Sequence, residues 1–480
     1  MYIQKDLLII ITRFGKILSI RKKKKELIID YYESYETELA RSYFSNIFSL
    51  KNNCKIVVVG TSFNILFKKD WRKIYKSFNV TKFLYIYLNK IYILNLINFK
   101  KRKRINSDYI FITQGIKKKQ DLLDICYKGI EIGREIYEEY LYRYRKVTVD
   151  LKDPKIYKLI KECLYLVNFW HDYLKNKEVE ALCLSHPNVR FMGLSGKIAN
   201  LLFIPVYSVT NSYIKKNLNL NPHKDFIKKN LLNYPKIFNQ LNSVEKNNAI
   251  NWSKEKLQRR FDGEVGVDMF YSDASAFQKF SPNKPRILLN NKKIKIIICT
   301  HEFYDGPHNT GGLLFNDFYE WLIFLGNKSN NSQYDWYIKN HPDCDSWTIK
   351  EIDTFVIKYP KIKLINKNVS FLQLAKEGIN FALTCHGTVG LELPLLNIQV
   401  INSDINNPHI AYKFNWNPLN IKEYDQMLSD LPNLNIKINY DEIYSFYYAS
   451  KKLGQYDNLI FKSYSKAKEI EKKTNKHMLE

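Results

Sequence analysis

Lys293-Ile-Lys-Ile-Ile-Ile-Cys-Thr300 runs directly into Thr300-His-Glu-Phe-Tyr-Asp-Gly-Pro-His-Asn-Thr-Gly-Gly312. A short apolar run closed by a polar, glycine-bearing loop is the signature of a buried strand ending at a turn. The segments after it keep that rhythm. Leu313 to Gly326 predicts a helix, Trp336 to Lys339 a strand, and Thr348 to Lys358 a helix. Ile362 to Ile365, Phe381 to Thr384 and Gln399 to Ile401 predict further strands, with short helices at Phe371 to Lys376 and from Thr388 to Leu393. Strands alternating with helices predict a parallel sheet with crossover helices.

Working towards the N-terminus, the same alternation recurs. Lys55 to Gly60, Phe83 to Leu88, Tyr109 to Thr113, Ala181 to Ser185 and Ile204 to Val209 read as strands. Gln120 to Arg145, Asp153 to Asn176 and Phe191 to Leu202 read as helices, the second with apolar residues recurring every three and four positions. Leu7 to Ile11 reads as a buried strand or helix start, not a signal peptide. The expected fold is α/β, with two Rossmann-like doubly wound domains facing a cleft. Their expected bounds are 1–285 (with a linker, including a helix over Val244 to Arg260), 286–435, and C-terminal helices over 436–480.

The chain has 480 residues, which suits two domains and not one. Hydrophobic residues make up 45% and charged residues 26%, a globular balance. Lys+Arg 75 against Asp+Glu 48 gives a net charge of +27, which favours polyanionic partners, although Lys- and Asn-rich usage throughout is also what an AT-rich coding sequence produces. The seven cysteines are scattered, with no CxxC pair, and read as reduced thiols in a cytoplasmic protein. No apolar run reaches the length of a transmembrane helix. No HExxH, DxD or Cys/His cluster has metal-ligand spacing, so no metal is expected, and Walker A and GxGxxG loops are absent.

In open α/β sheets, ligands sit beyond the carboxyl ends of the strands. Four loops lie there. The first holds His301, Glu302, Asp305 and His308, candidates for proton transfer, among glycines that permit close backbone approach. The second is Lys339-Asn-His-Pro-Asp343, where His341 can bond a phosphate or a base edge and Pro342 sets the turn. The third is Thr384-Cys-His-Gly-Thr-Val-Gly-Leu-Glu392, where His386, Gly387 and Thr388 can offer donors to an anion and Glu392 can accept from sugar hydroxyls. The plain alternative for the third is a Thr388 helix cap followed by a solvated glutamate. The fourth, Leu184-Ser-His-Pro-Asn-Val-Arg190, places His186 and Arg190 on an acceptor side, or is a simple turn.

On these loops, with Asn316 to Leu322 and Asn407-Pro-His-Ile-Ala-Tyr412, the second half resembles bacterial capsular and surface polysaccharide biosynthesis proteins. The His-Pro turn, small-residue turn and helix glutamate are similar to those of capsule Kdo transferases, polysialyltransferases and polyol-phosphate polymerases. That resemblance implies a glycosyltransferase of the two-Rossmann (GT-B) class. A C-terminal domain would hold a CMP-, CDP- or UDP-linked sugar as substrate through His341, Pro342, Gly387, Thr388 and Glu392. Where those relatives carry a Ser-Ser pair, this chain has Gly387-Thr388. The implied partners are the nucleotide sugar and a glycan or lipid-linked acceptor, with no cofactor. Lys22 to Lys25 and Lys100 to Arg104 suit peripheral contact with the anionic inner face of the cytoplasmic membrane. Two other readings fit parts of the pattern: a nucleotide-sugar 2-epimerase on the same plan, and a non-enzymatic polyanion binder. No nucleic-acid-binding motif supports the last.

Overall fold

The computed structural model describes residues 25–30, 35–60, 82–85, 99–185, 187, 190–209, 214–217, 233–265, 267, 274–278 and 285–452. The chain divides into two compact units. One comprises 1–140, 150–221 and 456–480, the other 141–149 and 222–455. The described residues between 233 and 285, which the sequence places in the first domain, therefore belong to the second unit. The reason is a helix in that segment that docks on the C-terminal helix, as described below.

The first unit is built on a six-stranded sheet. Its strands are β1 (Glu26–Asp30), β2 (Lys55–Gly60), β3 (Lys82–Tyr85), β4 (Val179–Leu184), β5 (Val206–Val209) and β6 (Ile214–Asn217), in the order β3-β2-β1-β4-β5-β6. All neighbours run parallel except the antiparallel edge strand β6. Leu27, Ile29, Ile56, Val58, Ala181 and Cys183 form one buried face with helix α1 (Tyr35–Asn52). Helix α2 (Phe99–Gly115) contains Tyr109 to Thr113, so this run is helical and not the expected strand. A five-residue apolar run has no period that separates the two states, and here the run continues a helix begun ten residues earlier.

The segment expected as one helix from Gln120 to Arg145 is broken. Its last part is α3 (Gly133–Tyr144), preceded by a two-stranded hairpin pairing Cys126–Tyr127 with Ile130–Glu131. Helix α4 (Pro154–Asn176) begins where expected. Asp153 caps it by accepting the Lys155 amide, and Pro154 needs no donor at that position. A one-turn 3-10 segment, Arg190–Gly193, leads into α5 (Leu194–Leu201).

The second unit carries a fully parallel five-stranded sheet. Its strands are β7 (Lys295–Cys299), β8 (Asp335–Lys339), β9 (Ile362–Ile365), β10 (Phe381–Thr384) and β11 (Gln399–Asn402), in the order β9-β8-β7-β10-β11. Successive side chains point to opposite faces. Ile296 and Ile298 pack with Trp321, Trp336, Phe355 and Leu383 on one side. Ile297 and Cys299 pack with Phe277, Tyr337, Phe371 and Val400 on the other.

Helix α6 (Ser243–Phe261) belongs to this unit and is opened by a reciprocal Asn242–Glu245 capping box. It packs Leu257 against Ile443, Phe446 and Tyr447 of the last described helix, Tyr440–Lys452. Helix α7 (Phe318–Asn330) starts five residues later than expected. Leu313 and Leu314 are held extended against Asp404 and Ser403, and Asp317 caps the helix by accepting the Glu320 amide at 2.8 Å. Helices α8 (Ser346–Lys358) and α9 (Phe371–Lys376) cross between strands as predicted. Leu7 to Ile11 and the part of the expected C-terminal helices beyond residue 452 lie outside the described residues. No helix among the described residues is long and apolar enough to cross a membrane.

Candidate active site

The strand order of the second unit reverses direction between β7 and β10, so the loops leaving those two strands diverge and open a crevice. A cavity of about 300 Å³ occupies it. His301, Glu302 and Asp305 reach it from the loop after β7. Lys339, Asn340, His341 and Pro342 come from β8. Thr384, His386, Gly387, Thr388 and Glu392 come from β10 and the turn beyond it. Eleven of the twelve residues that sequence reading placed in this half therefore converge on one cavity. The twelfth, His308, does not line it. Its buried ring donates from Nε2 to the Asn316 carbonyl oxygen at 2.8 Å and fastens the loop.

Lys339 sits at the end of β8 and is 2% exposed. Its ammonium donates to the Lys367 carbonyl at 2.9 Å and lies 4.7 Å from the centre of the Phe371 ring. It has no carboxylate partner among the described residues. Burial pulls its pKa down to about 8. Beside it, Asn340 is buried and its side-chain oxygen has no hydrogen-bond partner among the described residues. His341 accepts the Asp343 amide at Nδ1, 3.2 Å away, which leaves the ring proton on Nε2. Burial also lowers the pKa of His341, so it acts as a neutral donor.

The histidines after β7 and β10 form a pair. His301 stacks on Phe318 at 4.6 Å between ring centres and stands 5.1 Å from the ring of His386. Burial, then the neighbouring imidazoles of His386 and His341, hold His301 well below the ordinary histidine range. Its Nε2 lies 3.3 Å from the Thr384 hydroxyl, which also accepts the Gly387 amide. A Cβ at position 387 would stand 2.9 Å from that hydroxyl, so the turn needs glycine to close this tightly. His386 instead binds through Nδ1 to Asp404 Oδ2.

Asp404, just beyond β11, was not among the sequence candidates. It is fully buried and also accepts the Thr310 hydroxyl and, at 2.7 Å, the Asn406 amide. Three strand-end loops are thereby joined at one carboxylate.

Glu302 has its carboxylate committed elsewhere. It accepts the Asp345 amide at 2.6 Å and the Thr348 hydroxyl, adding a second carboxylate to the N-terminus of α8. Burial raises its pKa against those two hydrogen bonds. Asp305, by contrast, is exposed at the cavity's edge. Beyond Gly387 the expected helix is a single α-turn, α10 (Val389–Glu392), which tightens into a 3-10 turn over Leu393–Leu396. Thr388 makes no side-chain cap, and Glu392 is not solvated but buried and ion-paired to Arg260 of α6. Arg260 also donates to the Val267 carbonyl at 2.7 Å.

Of the acceptor-side residues, His186 lies outside the described residues. Arg190 opens the 3-10 turn of the first unit with a φ of 47°. No cluster of three or more His, Cys, Asp or Glu among the described residues is placed to hold a metal ion.

No protein-family model matches the chain, and no curated protein does. Solved structures do. A UDP-GlcNAc 2-epimerase from Methanocaldococcus jannaschii, in complex with UDP-GlcNAc and UDP, is 12% identical, over 88% of this chain and 97% of that one, with a TM-score of 0.29. A glycosyltransferase from Rickettsia africae is 10% identical over 89% and 94%, with a TM-score of 0.25. MurG from Acinetobacter baumannii is 9% identical over 89% and 94%, also at 0.25. At such scores the likeness carries no weight for the chemistry, and the crevice has to be read from its own residues.

Proposed function

We propose that the crevice of the second unit holds the phosphates of a nucleotide sugar, and that the chain transfers the sugar to a capsular or surface glycan or glycolipid. The observation that carries this reading is Lys339, a buried ammonium at the crevice with no carboxylate partner among the described residues. Burying such a charge is costly unless an anion is its usual company. The unpartnered oxygen of Asn340 and the Nε2–H of His341 beside it offer the further polar contacts a phosphate ester or nucleoside needs. The acceptor class rests on the motif resemblance described above.

In this mechanism an acceptor oxygen attacks the anomeric carbon. The bond from that carbon to the leaving phosphate breaks, and its electron pair goes to the phosphate oxygen. Lys339 and His341 stabilise the developing charge, a preorganised electrostatic role. The acceptor proton must leave. His386 is the group best arranged to take it, because its Nδ1 is engaged by Asp404 and its Nε2 is left as the position that can accept a proton. Asp305, at the rim, is the other open candidate.

Thermal shift with CMP, CDP, UDP, GDP and ADP, on wild type and His341→Ala, tests the reading. A ligand at 100 times its Kd stabilises by about 2.7 kcal/mol. One nucleotide should raise the melting temperature of wild type and much less that of the variant. No shift with any of the five would sink the proposal. Product analysis with the matching nucleotide sugar then separates the rivals. Acceptor-dependent release of nucleotide supports transfer, whereas a new free nucleotide sugar without acceptor identifies an epimerase.

A further inference from the structure

Helix α2 (Phe99–Gly115) of the first unit buries Ile105 and turns the opposite face to solvent. Lys100, Lys103, Arg104, Ile110 and Phe111 share that outer face by their spacing of three, four, seven and eleven residues, within about 120° of arc. Phe111 is 80% exposed and Ile110 is 53% exposed. The three cations lie on the helix's first two turns and form no salt bridge with a described residue. The apolar pair lies on its last turns. Lys117 and Lys118, both exposed, follow the helix, so the apolar pair is flanked by positive charge at both ends.

We infer that this face docks on an anionic lipid surface, with Phe111 and Ile110 entering the headgroup boundary and the cations meeting the headgroups. Isolated exposed apolar residues are common and need no explanation. Here an exposed aromatic and its aliphatic neighbour share a helix face with three cations that form no salt bridge with a described residue, and two more lysines follow the helix, so one surface offers both charge attraction and apolar insertion to an anionic interface. A nucleic acid or an anionic glycan would satisfy the cations through charge alone and would have no need of Ile110. The inference stands on the first unit alone and is independent of the reading of the crevice.

The test is co-sedimentation of the full-length protein with vesicles of phosphatidylcholine, with and without a quarter phosphatidylglycerol. Binding should require the anionic lipid and fall roughly fivefold for each of Lys100, Lys103 and Arg104 changed to Gln. Phe111→Ser should weaken it by about tenfold. Fluorescence of a Phe111→Trp variant should shift to the blue and be quenched by brominated acyl chains only when anionic vesicles are present. Equal binding to neutral vesicles, no binding to either, or anionic binding untouched by Phe111→Ser and with no quenching would overturn the inference. Heparin or DNA binding that is as tight as vesicle binding and indifferent to Phe111→Ser would assign the face to polyanions instead.

Discussion

His386 Nδ1 lies 3.1 Å from Oδ2 of Asp404, a carboxylate with no solvent-exposed side-chain surface. The pair spans the turn after β10 and the loop after β11, and Thr310 brings the loop after β7 to the same carboxylate. Gly312 lets that loop approach, since a Cβ there would overlap the Asp404 side chain. Asp404 is therefore a positioning residue for an imidazole that lines the crevice. His386→Ala should lower kcat about a hundredfold or more, with nucleotide affinity changed little. Asp404→Asn should lower kcat in the same direction by disturbing the tautomer, and should alter the pH–rate profile, which a purely structural role would not. Steady-state kinetics and nucleotide calorimetry on the two variants check this. Equal loss of nucleotide binding and turnover would assign the pair to donor binding instead.

Lys339 carries a pH dependence of definite sign. Its pKa is lowered to about 8 by burial, and a bound phosphate favours the charged form. Nucleotide affinity should therefore be greatest below about pH 8 and fall as pH rises through it, by up to tenfold per unit. The apo protein should behave oppositely. Between about pH 8 and the ordinary lysine range, the unfolded chain binds a proton that the folded one has lost, so this group's contribution to stability improves as pH rises. Lys339→Met should flatten both profiles. Calorimetric titration at pH 7, 8 and 9 and denaturation over the same range are the measurements.

Much of this site was legible because parallel strands buried on both faces stand out as uninterrupted apolar runs, and their polar C-terminal loops mark the crevice. Lys295–Cys299 and Phe381–Thr384 are such runs, and the residues that follow them line the cavity. Asp404 lies in the loop after β11, where the strand-end rule also reaches, but no local pattern marks its carboxylate as the partner of His386 eighteen residues earlier. Arg260 lies 132 residues from Glu392, and no local pattern links them. Glu302 and His308 were visible as titratable groups. Only the fold shows that they cap α8 and fasten a loop.

The Arg260–Glu392 pair predicts a stability effect separable from binding. Glu392 is 2% exposed, so Arg260→Ala leaves a buried carboxylate unpaired. Breaking such a pair costs about 3 kcal/mol, which for a unit of this size lowers the melting temperature by roughly 6–12 °C. Replacing both partners, Arg260→Met with Glu392→Leu, should recover most of that loss. If Glu392 also accepts a ribose hydroxyl, the double variant should fold normally yet bind nucleotide at least tenfold more weakly than wild type. Thermal denaturation and calorimetry on the single and double variants distinguish pairing from recognition.

Asp305 and His308 occupy one loop but should respond to substitution in different observables. Asp305 is exposed at the cavity's edge, and replacing it with Asn removes a charge without emptying a packed position. Its cost should fall on turnover, with the melting temperature within about a degree of wild type. His308 is buried and away from the cavity, donating to the Asn316 carbonyl just before the cap of α7. His308→Ala removes that donor and leaves the carbonyl under-satisfied, at a cost of about 1–3 kcal/mol. Its effect should appear in denaturation midpoints, while kcat per folded molecule stays near wild type. A His308→Ala protein that kept its stability but lost its turnover would place this imidazole in the chemistry and overturn the assignment drawn from its hydrogen bond.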